Sequence, residues 1–167
     1  MPRHPASLPA AALLAECEVL RTRGTGPGGR HRNSTDSRVE LRHRPTGVVA
    51  AAGERRDQHR NREVALERLR HALAVEVRTP PGPVPTALWR TRVQGGRIVC
   101  STRHPDHAVL LAEALDHLAV TDWEPARAAA LLGCTSTQLV RLVASHKAAF
   151  ARLNTERAAL GLHGLRP

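Results

Sequence analysis

From Arg38 to Arg42 the chain alternates polar and apolar residues (Arg-Val-Glu-Leu-Arg), the period-two pattern of a strand with one buried face. Arg44-Pro45-Thr46-Gly47 then reads as a turn, with proline setting φ and glycine accepting a positive φ. Val48 to Ala52 continues as a second strand, so the pair predicts a hairpin. From about Asp57 to Val77 the period lengthens. Ala65, Leu66, Leu69, Ala72 and Leu73 share one face of a helix, while Arg60, Glu63, Glu67, Arg68 and Arg70 take the other. Ahead of the hairpin, Ala6 to Glu16 is a short helix or a frayed arm, and Gly24 to Gly29 is a glycine-rich loop.

Thr79-Pro80-Pro81-Gly82-Pro83-Val84-Pro85 cannot hold regular structure and marks a boundary. Beyond it, Leu88 to Val93 and Arg97 to Ser101 flank Gln94-Gly95-Gly96 and predict a second hairpin. Helices are expected at Ala108 to Ala119, Glu124 to Leu132, Ser136 to Ser145 and Ala148 to Leu160. Gly133 stops the second of these and Gly161 the last. The expected organisation is an N-terminal arm or helix (1–17), a glycine-loop domain (18–78), a Pro-rich linker (79–87) and a hairpin-plus-helices module (88–167). The fold class is α+β: a small sheet with a glycine loop and a packed helix, followed by a mainly helical C-terminal module.

Charge adds a partner to this picture. Lys plus Arg number 25 against 15 Asp plus Glu, a net +10 that points to a polyanion. Residues 21–70 hold 13 arginines against six acidic residues, a net +7, so most of the excess surrounds the glycine loop, its hairpin and its helix. Lys147 is the only lysine. Arginine grips phosphate with paired hydrogen bonds, although codon usage accounts equally well for the preference over lysine. The only aromatics in the chain are Trp89, Trp123 and Phe150, none within 21–70. Base stacking is therefore excluded there, and any RNA contact must use phosphates, 2′-hydroxyls and backbone groups.

Cys17, Cys100 and Cys134 form no CxxC pair, so free thiols are expected rather than a zinc site or a disulfide framework. His104 and His107 have no further ligands near them in sequence and read as loop residues; no metal or cofactor is expected. No stretch approaches the roughly 20 apolar residues of a membrane span, and Ala10 to Ala15 is too short for a signal-peptide core. A soluble cytoplasmic protein with no membrane partner is expected.

Arg23-Gly24-Thr25-Gly26-Pro27-Gly28-Gly29-Arg30-His31-Arg32-Asn33-Ser34-Thr35-Asp36-Ser37 resembles the signature of class I peptide-chain release factors, Arg-x-Ser-Gly-x-Gly-Gly-Gln-x-x-Asn-x-x-x-Ser. The resemblance runs on through Leu41, His43, Pro45-Thr46-Gly47-Val48 and Glu54-Arg55-Arg56-Asp57-Gln58-His59-Arg60-Asn61-Arg62, and covers about residues 18–74. It implies an α+β catalytic-type domain that enters the peptidyl-transferase centre of the large ribosomal subunit. There the Gly-Gly-Gln loop promotes attack of water on the ester joining the nascent peptide to tRNA. The implied partners are large-subunit RNA and peptidyl-tRNA, in translation termination or ribosome rescue; DNA is not expected.

The resemblance places Gly28, Gly29 and Arg30 at the catalytic positions, with Arg30 in place of the family's glutamine. The backbone N–H that stabilises developing negative charge survives this exchange. The side chain becomes longer, charged and unable to accept a hydrogen bond, so hydrolysis of peptidyl-tRNA, the reaction of an active member, is expected to be impaired. Arg23, His31, Arg32, Asn33, Thr35, Ser37 and Arg38 are the candidate RNA-binding residues. Asn33, Thr35 and Ser37 serve equally well as supports of the loop base through side-chain-to-backbone bonds. Ser34 stands where many members have lysine. The mixed signs from Arg60 to Arg70 suit a solvated helix face.

In the remaining half, nothing is long enough or suitably patterned to supply a codon-reading domain. The closing Gly161-Leu162-His163-Gly164-Leu165-Arg166-Pro167 is not the basic tail of small rescue factors. Ala128 to Leu142 resembles a helix-turn-helix whose DNA-reading version would put Thr137, Gln138 and Arg141 in a groove. The alternative function is thus a DNA- or RNA-binding regulator. Little net charge from Asp106 to Ser145 favours a compact helical module without that role.

Overall fold

The computed structural model describes residues 3–22 and 37–166 of the chain. These form two compact units, Pro5–Glu76 and Val77–Pro167, the latter including the first four residues. Helix and sheet are mixed, as the α+β expectation requires.

In the unit Pro5–Glu76 a 3-10 turn (Pro5–Ser7) and helix α1 (Ala10–Ala15) precede strands β1 (Cys17–Thr22), β2 (Arg38–His43) and β3 (Val49–Ala52). Helix α2 (Gln58–Glu76) follows. The sheet is antiparallel in the order β1-β2-β3. The hairpin stands where the alternation placed it, and Gly47 takes φ 73° in its turn. Val39, Leu41 and Ala52 face α2, which packs on β2 and β3 through Ala65, Leu69 and Leu73. Asp57 starts α2 by accepting the His59 N–H at 2.8 Å.

The sequence left α1 as a helix or a frayed arm; it is a helix, and it buries Leu13 completely, as the 3-10 turn buries Ala6. The strand β1 was not foreseen. It is an edge strand whose adjacent Val19 and Leu20 are both partly exposed, at 36% and 38%, so its pattern of burial does not alternate cleanly.

In the second unit, the expected strand over Leu88 to Val93 is corrected. Residues Ala87–Arg92 form helix α3, because Thr86 caps it by accepting the Trp89 N–H and because the turn buries Trp89. The indole N–H donates to the Leu132 carbonyl at 2.8 Å. Only β4 (Val93–Gln94) and β5 (Arg97–Ile98) pair, around Gly95 and Gly96 at φ 55° and 76°. Two consecutive positive φ values are the requirement of a tight type I′ turn.

Helices α4 (His107–Val120), α5 (Pro125–Leu132), α6 (Ser136–Ala144) and α7 (Lys147–Ala159) complete this unit. The central helix is α4, which buries Leu110, Leu111, Ala114, Leu115 and Leu118 without exposure. Gly133 ends α5 at φ 66°, and Thr135 caps α6 by accepting the Gln138 N–H. All three cysteines are free, and burial raises the pKa of each thiol, that of Cys134 to about 11.

The Pro-rich segment is irregular but tethered. Two buried carboxylates of α4 hold its ends: Asp116 accepts from Arg78 and from the Thr79 N–H, each at 3.0 Å, and Glu113 accepts from the Thr86 N–H and hydroxyl at 2.7 and 2.6 Å. Burial chiefly raises the Asp116 pKa to about 6, against the pull of the Thr79 N–H and Arg78, and lowers Arg78 to about 10. The folded unit therefore binds the Asp116 proton more tightly than the unfolded chain does. Its contribution to stability falls as pH rises from about 4 to about 6. Asp116→Asn removes that dependence. In urea unfolding, the wild-type stability relative to the variant should drop by about 2–3 kcal/mol between pH 4 and pH 7. His4, which burial lowers to about 4, titrates in the opposite sense in both proteins and cancels from the difference. A pH-independent difference would refute this account.

Candidate nucleic-acid interface

The register of β1 against β2 pairs Thr22 with Arg38, so the chain leaves the sheet and returns to it at neighbouring positions. Ser37, at the return, is 7% exposed, and its carbonyl accepts from Asn61 Nδ2 at 2.5 Å. Asn61 is fully buried on α2. The same Nδ2 donates to the Arg55 carbonyl at 2.8 Å, and Oδ1 accepts the Arg55 N–H at 2.9 Å. One carboxamide thus joins the start of β2, the loop after β3 and the first turn of α2. Arg38 crosses the β3 end closely: a Cβ on Gly53 would lie 3.3 Å from Arg38 Cβ and Cγ.

The opposite end of the sheet is tied as firmly. His43 is 1% exposed, with Nδ1 2.7 Å from the Thr46 hydroxyl and Nε2 2.8 Å from a Glu16 carboxylate oxygen. Arg44 donates to the carbonyls of Ala15 and Cys17.

Positive charge in this unit divides into paired and unpaired groups. Arg68 is 2.6 Å from Glu54, whose carboxyl it holds below the ordinary carboxylate range, and it also donates to the Ala51 carbonyl. Arg60 lies 3.8 Å from Asp57, and His59 lies 3.7 Å from Glu63. Arg21, Arg55, Arg56 and Arg62 are exposed and make no ion pair among the described residues. Arg60, Arg62 and Arg68 are exposed, as a solvated face requires, whereas Arg70 is partly buried and donates to the Ala6 carbonyl at 2.6 Å. Beside β1 and the start of α2 lies a cleft of about 130 Å³ lined by Val19, Arg21, Val39, Gln58, His59 and Arg62.

Of the residues singled out from sequence, Arg23, Gly28, Gly29, Arg30, His31, Arg32, Asn33 and Thr35 lie outside the described residues, as do Ser34 and the rest of the Gly24–Gly29 loop. Ser37 and Arg38 are described, and they are brought together with Asn61 and Gly53 at the base of that segment. Asn61 belongs to the Glu54–Arg62 motif, which by itself assigns it no role. Its signal was present: it is a polar residue four positions before Ala65 on the stripe that continues to Leu69 and Leu73. Arg21 was missed because the strand carrying it was missed.

In the second unit, the trio suggested for groove reading is split. Thr137 and Arg141 are exposed beside a cleft of about 440 Å³, whereas Gln138 Oε1 accepts the Ile98 N–H at 3.3 Å and is engaged by the small hairpin. Arg157, 7% exposed, donates to the Trp123 carbonyl at 2.7 Å and the His163 carbonyl at 3.0 Å. Those bonds support the left-handed pair Asp122 and Trp123, at φ 56° and 57°. His107 Nε2 meets the Ser145 hydroxyl at 2.8 Å, and the Asp106 N–H donates to His104 Nδ1. Among the described residues no three His, Cys, Asp or Glu side chains gather as a metal site, and no helix is long and apolar enough to cross a membrane.

Comparison with known proteins bears on the first unit. Residues 14–82 match the RF-1 domain. Peptide chain release factor 2 of Acidovorax sp. (strain JS42) is 53% identical over 51 residues, which are 30% of this chain and 14% of that protein. Peptide chain release factor 1 of Mesoplasma florum is 52% identical over 48 residues, 29% of this chain and 13% of that protein. Peptide chain release factor 1 of Acidiphilium cryptum is 46% identical over 64 residues, 38% of this chain and 18% of that protein. The chain thus spans less than a fifth of the length of these relatives.

Proposed function

We propose that the class I release-factor-like domain this chain carries binds RNA of the large ribosomal subunit in the cytoplasm and presents the Gly28-Gly29-Arg30 tip to the acceptor end of peptidyl-tRNA. The role is in translation termination or ribosome rescue, with ester hydrolysis impaired by Arg30. The working part is the domain over residues 18–78, joined through 79–87 to the helical module 88–167.

The observation that carries this reading is the anchoring of the loop base. Asn61 fixes Ser37 on the strand paired with β1, so both ends of the glycine-bearing segment are held by a rigid sheet and helix. A tip that must enter an RNA-walled cavity needs such a support, since ordering it only on binding would cost affinity. Arg21, Arg55, Arg56 and Arg62 on the same unit, exposed and without an ion pair among the described residues, supply favourable contact with phosphates. Glycines at 28 and 29 leave the backbone free to pass close to RNA.

The test is co-sedimentation with purified large ribosomal subunits over a salt series. Binding should be strong at low salt and weaken steeply, with a log–log slope set by the number of phosphates engaged, about 0.7–0.9 per contact. Absence of binding at low ionic strength, or affinity that ignores salt, would overturn the proposal.

A further inference from the structure

We propose that the cleft between β1 and the start of α2 is an RNA phosphodiester clamp, in which Arg21 and Arg62 take the phosphate and Val19 takes the adjoining ribose. The inference rests on the reading of this unit as an RNA-binding domain and names where the RNA backbone lies.

The cleft exists because α2 covers only part of the sheet. It packs on β2 and β3, while the β1 positions that share the core-facing side are Cys17, Val19 and Arg21, opposite His43, Leu41 and Val39. Cys17 is buried at the far end, but Val19 stays 36% exposed and Arg21 is exposed. Val39, 1% exposed, forms the floor, and Arg62 rises from the first turns of α2 on the other side.

Three properties select the occupant. No Asp or Glu lines the cleft, and neither Arg21 nor Arg62 makes an ion pair among the described residues, so its rim is positive. Arginines on two different elements can grip one phosphate from two sides. The floor is aliphatic without an aromatic ring, which suits a sugar and offers no stacking platform for a base. A sequence-independent RNA backbone meets all three conditions. Arg62 follows Asn61, which holds Ser37, and Arg21 precedes the segment 23–36, so RNA seated here would lie beside both anchors of the glycine-bearing segment.

Arg21→Gln, Arg62→Gln and the double variant should be compared with Arg21→Lys/Arg62→Lys and with Arg68→Gln, whose arginine is paired with Glu54. Binding is measured over a salt series, in one arm with purified large ribosomal subunits and in the other with free tRNA. The double glutamine variant should flatten the log–log salt slope by about 0.7–0.9, the loss of one phosphate, while the lysine pair and Arg68→Gln keep it. Loss of slope in the subunit arm assigns the phosphate to ribosomal RNA, and loss only in the tRNA arm assigns it to tRNA. Wild-type binding with an unchanged slope in the double variant would overturn the clamp and leave the domain's RNA-binding role standing. Wild-type protein that binds neither RNA would overturn both.

Discussion

Arg30→Gln is expected to raise peptide release from ribosomal complexes by roughly a hundredfold, within a range of about ten to a thousand. In the ester hydrolysis at issue, charge develops on the carbonyl oxygen while water attacks. A backbone N–H at position 30 can serve the oxyanion in either protein. Only a neutral amide adds a carbonyl oxygen able to accept a hydrogen bond from water, and Arg30 has five donors and no acceptor. Removing one well-placed polar contact from a transition state typically costs about two to three orders of magnitude in rate. The measurement is single-turnover release of labelled peptide from purified complexes, with wild type, Arg30→Gln and Arg30→Ala at saturating protein. The order should be glutamine far above alanine, and alanine at or above arginine. Wild-type release equal to that of the glutamine variant would show that Arg30 does not impair the reaction.

Asn61→Ala should destabilise the unit Pro5–Glu76 by about 2–4 kcal/mol and weaken binding to large subunits by at least tenfold. The variant leaves the Ser37 and Arg55 carbonyls and the Arg55 N–H without their partner in a site where Asn61 itself has no exposure. Stranding a buried polar group costs about 1–3 kcal/mol; the bond to Ser37 is buried and the two to Arg55 are part-buried and add less. Urea unfolding gives the stability change. Binding separates support from mere packing: at a temperature where the variant remains folded, affinity for large subunits should still be lower than wild type. Asn61→Asp keeps the Arg55 N–H contact and loses both donated bonds, so it should fall at least as far. A stability change below about 1 kcal/mol for Asn61→Ala would remove this residue from the account.

Much of the first unit was legible because its periods change cleanly. Arg38 to Arg42 alternates, the Pro45-Thr46-Gly47 turn reverses the chain, and the Ala65-Leu69-Leu73 stripe returns every fourth residue. The hairpin and α2 follow from that pattern with small errors at their ends. β1 escaped because an edge strand covered on one side by only part of a helix has no strict alternation to show. The helix over Ala87–Arg92 escaped because Trp, Thr and Val favour strands, while the deciding facts are tertiary: the burial of Trp89 against the Leu132 carbonyl and the Thr86 cap. In the candidate interface, the motif marks Ser37 and Arg38 follows it directly, whereas the helical stripe marks Asn61 only as a core position. The Arg21–Arg62 cleft was beyond reach, since it depends on which strands α2 leaves uncovered.

The pairing of Thr22 with Arg38 brings the two ends of residues 23–36 to adjacent positions on the sheet. The β1–β2 ladder is therefore built from residues on either side of that segment. Thermal melting of Arg30→Gln should accordingly coincide with that of the wild type, as the β1–β2 register does not include position 30.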